Sequence, residues 1–170
     1  SSAASDVYKR QLIYSAAVNE YAPLGVEDSI TNTATITGGA LAAPVTATET
    51  INAATEPQLA ISKSICPSSV AENGTLTYTL TLLNRGNTAA DAGDELVITD
   101  TFDPILNITG VTFNGTAWTS PEDYTYDAAT GAFATVAGKL TVPEAAFTQN
   151  ADGSWTVTPG QSVLTVTGTV

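Results

Sequence analysis

The chain has no histidine, no methionine, a single cysteine, and 5 basic residues against 17 acidic ones in 170. Each shortage excludes something. Without histidine the commonest general base near neutral pH is missing, so catalysis is not expected. Cys66 has no second cysteine to pair with, so this is not a disulfide-stapled domain. A formal net charge of −12 repels phosphate backbones and anionic membrane surfaces, so no nucleic-acid partner is expected. No run of eighteen apolar residues occurs, so no membrane insertion is expected of this fragment. Zinc-ligand spacing and a phosphate loop are also missing, and no cofactor is expected.

What is present argues for a folded chain. The acidic residues are scattered and 43% of the sequence is hydrophobic, which is not the composition of a disordered tail. The first eleven residues, SSAASDVYKRQ, stand apart because they show neither strand nor helix periodicity. One reverse translation of them spells, codon for codon, the transposase adapter of tagmentation sequencing libraries. Residues 1–11 are therefore expected to be adapter-derived, with native sequence starting near Leu12. Setting aside Asp6, Lys9 and Arg10 leaves 16 acidic against 3 basic residues, or −13. Both ends read as cut, so the fragment is expected to be an internal piece of a longer protein.

Period-two alternation dominates the rest. PQLAISKSI puts Leu59, Ile61, Lys63 and Ile65 on one face, opposite Ala60, Ser62 and Ser64. TLTYTLTLLN puts Leu76, Tyr78, Leu80 and Leu82 opposite Thr75, Thr77, Thr79 and Thr81. ELVITDTF aligns Leu96, Ile98, Asp100 and Phe102. ITGVTFNG, the hairpin DYTYDAATGAFATV, KLTVP and SWTVTPGQSVLTVTGTV follow. Turn signals separate them at ENG, NRGN, NADGS and Pro159–Gly160. Many short strands at this spacing predict an all-β antiparallel sandwich. Upstream, LIYSAAVNEYAP, SITNTATITGG and PVTATETINAA read as two or three closing strands without opening partners. Residues 12–55 are thus expected to end one repeat and 57–170 to form most of the next, with a linker near Asn52–Glu56.

The segment PQLAISKSICPSSVAENGTLTYTLTLLNRGNTAADAGDELVITDTFDP carries a first strand with Lys, an aromatic-bearing strand, an N-x-G-N turn and an Asp-Thr pair. It resembles the bacterial surface repeat known as domain of unknown function eleven. TNTATITGG at Thr31–Gly39 resembles the closing strand of the same repeat, here from a preceding copy. The resemblance implies immunoglobulin-like sandwiches strung together in large wall-attached or surface-layer proteins, hence an extracellular bacterial location. It implies neighbouring repeats as partners and leaves room for an adhesive tip elsewhere. DAGDE lengthens the approach to the Asp strand relative to the family pattern, and no wall-sorting motif is present.

Four residue sets are candidates for chemistry. Lys63, Asp100 and Asn84 share the phase of apolar neighbours, so each is expected to face inward and to need a partner. The plain expectation is a buried Lys63–Asp100 ion pair capped by Asn84. The sharper one is an intramolecular isopeptide bond, in which neutral Lys63 attacks the Asn84 carboxamide while protonated Asp100 serves the departing ammonia. Asn32 occupies the same kind of position upstream. Trp118 and Trp155, with Tyr124 and Tyr126, offer a glycan- or host-binding platform, although packing in the core is the favoured reading of these aromatics. Asp91, Asp94 and Glu95 form an oxygen-rich loop without calcium-loop spacing, so a solvated acidic loop is expected and no metal. Cys66 sits before Pro67 with no base nearby, Asp103 before Pro104 reads as turn chemistry, and Asn73, Asn107 and Asn114 begin N-x-T triplets expected to be turn and strand chemistry.

Overall fold

The computed structural model describes residues 13–22, 25 and 28–170; the adapter-like residues 1–11 lie outside them. In chain order the strands are β1 (Ser29–Ile36), β2 (Val45–Asn52), β3 (Leu59–Cys66), β4 (Thr75–Asn84), β5 (Thr99–Thr101) and β6 (Asn107–Phe113). Then come β7 (Thr116–Ala117), β8 (Tyr124–Asp127), β9 (Ala132–Thr135), β10 (Ala146–Gln149), β11 (Trp155–Thr158) and β12 (Gly160–Thr169). Among the described residues there is no α-helix, only a single 3₁₀ turn at Ala92–Asp94. The protein is an all-β antiparallel sandwich.

A five-stranded sheet, ordered β3-β4-β12-β6-β7, faces a three-stranded sheet ordered β5-β9-β8. Two hairpins, β1–β2 and β10–β11, form separate two-stranded ribbons. The period-two pattern explains the large sheet. On β4, Leu76, Leu80 and Leu82 point into the core, and on β12 Leu164 and Val166 do the same with essentially no exposure. The small sheet and its flanking loops answer with Ile98, Phe102, Leu106, Phe133, Leu140 and Val142. Each such large side chain contributes on the order of 1.5–3 kcal/mol by leaving water. The outer face is a threonine ladder: Thr77 bonds Thr167 at 2.9 Å and Thr112 bonds Thr165 at 2.7 Å, hydroxyl to hydroxyl.

Three details refine the sequence reading. ELVITDTF supplies only the three-residue strand β5; the preceding Ile98 is held instead by bonds between its backbone and both the Thr135 backbone and hydroxyl. Pro159–Gly160 separates two strands as expected, but without a turn: Pro159 alone lies between β11 and β12, and β12 starts at Gly160, where glycine is required because any Cβ would collide with the Pro143 carbonyl. Upstream, two of the expected two or three strands form, as the hairpin β1–β2, every residue of which is exposed, while residues 13–19 carry no ladder.

Candidate functional site

The NRGN turn after β4 organises one pole of the sandwich. Asn84 is fully buried, and its side chain accepts N–H bonds from Gln58 at 2.9 Å and Gly86 at 2.8 Å. Its amide donates to the Thr88 carbonyl at 2.7 Å. Arg85 N–H donates to the Gln58 carbonyl, and Asn87 donates to the Ala54 carbonyl at 2.7 Å. Gly86 lies so close to Glu56 and Pro57 that a Cβ would collide with that backbone. The segment that sequence reading treats as a linker is therefore clamped to the sandwich. Beside it a cleft of about 430 Å³ opens between the β1–β2 ribbon and the sandwich, lined by Ile30, Ile51, Arg85, Phe147 and Val157 among others.

This placement corrects the three-residue set. Lys63 pairs across the ladder with Leu80, whereas Asn84 pairs with Leu59. Four residues of extended strand, roughly 13 Å, separate them. Asn84 also spends both its amide groups on the turn, so the structure does not bring it to Lys63 and an isopeptide between them has no geometric path. The signal that identifies its real role was in the sequence: an Asn followed two residues later by Gly, at a strand end, is turn chemistry.

Lys63 and Asp100 do meet. Lys63 Nζ lies 2.5 Å from Asp100 Oδ2, and it stands 4.5 Å from the centroid of Tyr78 and 5.2 Å from that of Phe102. Tyr78 and Phe102 stack with centroids 5.0 Å apart. The pair links β3 of one sheet to β5 of the other, a clasp across the sandwich edge. It is not buried as expected: the two side chains retain 37% and 17% exposure. The reason is that β3 is the outermost strand, and the face it shares with Lys63 is left largely uncovered. Cation–ring contact and a partly exposed ion pair together hold the edge without the full desolvation cost of a buried pair.

The remaining candidates separate. Trp118 is half-buried and packs on Phe113 at 5.0 Å, against the core. Trp155 belongs to the β10–β11 ribbon, where its backbone N–H donates to the Glu20 carbonyl. Tyr124 stacks on Phe133, and the Tyr126 hydroxyl bonds the backbone of Leu106 as both donor and acceptor. These aromatics are distributed over different sheets and mostly serve packing. Asp91 and Asp94 form a reciprocal cap on the 3₁₀ turn, Asp91 accepting from Gly93 at 2.7 Å and Asp94 from Asp91 at 2.9 Å. Glu95 closes that turn in a left-handed conformation. Among the described residues no group of three His, Cys, Asp or Glu is placed to hold a metal. Cys66 is free and exposed. Asn73 and Asn114 adopt left-handed turn conformations, and Asn114 accepts from Val163 N–H at 2.8 Å.

A second ion pair, Lys139 to Asp123 at 2.9 Å, supports the β8–β9 region. The Asp123 carboxyl lies below its ordinary value, first because it accepts the Thr119 N–H and then because Lys139 faces it. Asp127 is lowered by the Ala129 N–H and the Thr130 hydroxyl, and Asp152 by the Ser154 hydroxyl and N–H. No family model, curated protein or solved structure matches the chain.

Proposed function

We propose that the protein is a non-catalytic, load-bearing spacer repeat of a large bacterial surface protein. One geometric observation carries the reading. β3 and β12 both run antiparallel to β4 and flank it, so they are parallel to each other. The chain enters β3 beside Asn84 and Gly160, and β12 ends at the opposite pole, where Thr169 faces Thr75. Tension applied along that path loads two ladders in shear, so that many backbone bonds must yield together rather than one at a time. The Asn84 clamp stiffens the entry pole in the same direction. The resemblance to extended surface repeats supports this reading, as does the acidic composition.

Single-molecule pulling tests it. Handles at Gln58 and Val170 should give a distinctly higher unfolding force than handles at Glu72 and Val170, which unzip β4 from β12. Equal forces in the two geometries would remove the mechanical reading.

A further inference from the structure

We infer that the cleft beside the Asn84 turn is a binding site for a small monoanionic amphiphile, a carboxylate on an apolar body. At about 430 Å³ the cleft falls within the size range of small-molecule sites. Its walls come from separate parts of the chain. Ribbon β1–β2 supplies the cross-strand pair Ile30–Ile51, and ribbon β10–β11 supplies the pair Phe147–Val157. Val18 adds a further wall, from the segment tied to β11 where the Trp155 backbone N–H donates to the Glu20 carbonyl. Val18 and Ile51 remain 68% and 69% exposed, so among the described residues the chain does not fill this apolar lining itself.

Arg85 decides the sign of the ligand. After residue 11 the chain has three basic residues, Lys63, Arg85 and Lys139. Both lysines stand in ion pairs, with Asp100 and Asp123, whereas the exposed Arg85 side chain has no acidic partner among the described residues. Its backbone is fixed nonetheless: its N–H donates to the Gln58 carbonyl at 2.9 Å, and the preceding Asn84 is fully buried. A guanidinium without an ion pair, carried on a clamped turn and lining an apolar cleft, suits a carboxylate through two parallel N–H bonds.

Asp28 limits the ligand to one charge. It lines the cleft too, one of its oxygens accepting the Gly25 N–H at 2.6 Å, and the chain carries a net −12. Both disfavour a second anionic group, so a polyphosphate or a dicarboxylate does not suit the site. A single acid head at Arg85, with its apolar tail laid between Ile51 and Phe147, does. This goes beyond the spacer reading, which failure of the site would leave standing.

Isothermal titration of the full 170-residue chain with decanoate, kept below micelle formation and at fixed salt, tests it. One molecule should bind per chain, with affinity rising roughly fourfold per methylene through hexanoate, octanoate and decanoate. Octanol, which lacks the charge, should bind about tenfold more weakly than octanoate, and Arg85→Gln should weaken decanoate by about tenfold or more. Ile51→Asp sets a carboxylate in the wall against the tail and should weaken it at least as much. Both positions are exposed, so the fold should survive, as circular dichroism would verify. Val18→Asp provides a second wall variant should Ile51→Asp fold poorly. Ile61→Arg, on the uncovered face of β3, should leave binding unchanged, which separates the cleft from the other exposed apolar surface. An absence of saturable binding, octanol binding as tightly as octanoate, full-strength binding in Arg85→Gln, or binding lost in Ile61→Arg would each overturn the proposal.

Discussion

The β1–β2 ribbon and the sandwich are built from the same alternation, yet they end differently. Both put a threonine ladder on one face, with hydroxyl pairs of 2.9–3.0 Å in the ribbon and 2.7–2.9 Å in the sandwich. Both put aliphatic residues on the other. In the sandwich that face meets a second sheet, so Leu164 and Val166 disappear from solvent. In the ribbon it meets little, and Ile51 keeps 69% of its surface. Alternation dictates a strand and its two faces; what covers the apolar face is decided elsewhere in the chain. A lone two-stranded ribbon is marginal in water for that reason.

The largest test of this contrast removes one apolar side chain from each region. Phe102 is buried among Tyr78, Tyr126 and Phe133. Phe102→Ala should cost about 3–5 kcal/mol of global stability in urea unfolding. Ile51→Ala should shift the same transition by less than about 0.5 kcal/mol. Similar losses at the two positions would mean that the ribbon is part of the cooperative core, and the contrast would fail.

Two asparagines sharpen it at smaller scale. Asn84→Ala strands two N–H donors and one carbonyl at the clamped pole, and about 3 kcal/mol should be lost. Asn32→Ala, on the exposed ribbon, should change global stability by less than about 0.5 kcal/mol. Hydrogen exchange gives the more specific readout. The Gln58 and Gly86 amides should lose protection in Asn84→Ala, whereas amides in the centre of β12 should slow or quicken only with global unfolding.

The same pair shows how far the sequence was legible. Period two identified the strands, the threonine faces and the inward Leu76, Leu80 and Leu82. It also brought Lys63 and Asp100 into one phase, and the structure joins them. Phase alone carries no information about position along a strand, so it grouped Asn84 with Lys63 although four ladder steps intervene. Nor does it say which strand lies at an edge. That is why Lys63 reads as buried from its neighbours Ile61 and Ile65, when those neighbours are themselves exposed. Pro159–Gly160 marked a strand break correctly but not its form: a dipeptide that favours turns also suits a tight backbone approach, and only the Pro143 carbonyl decides between them.

The subtlest expected effect is one of pH, and it belongs to the sandwich's turns. Asp123, Asp127 and Asp152 are each held below the ordinary carboxylate value by N–H and hydroxyl donors. A carboxyl that is easier to ionise when folded contributes stability above its unfolded value, near 3.8, and loses that contribution as pH falls through its lower folded value. Asp127 and Asp152 are on exposed turns, so the effect of each is small. In Asp127→Asn the deficit relative to wild type should therefore be greatest near neutral pH and shrink toward zero in strong acid, measured as urea midpoints along a pH series. A deficit of constant size at every pH would show that Asp127 acts through its shape in the turn and not its charge. The acid sensitivity would then have to come from Asp123, whose carboxyl faces Lys139 as well as the Thr119 N–H, and from Asp152.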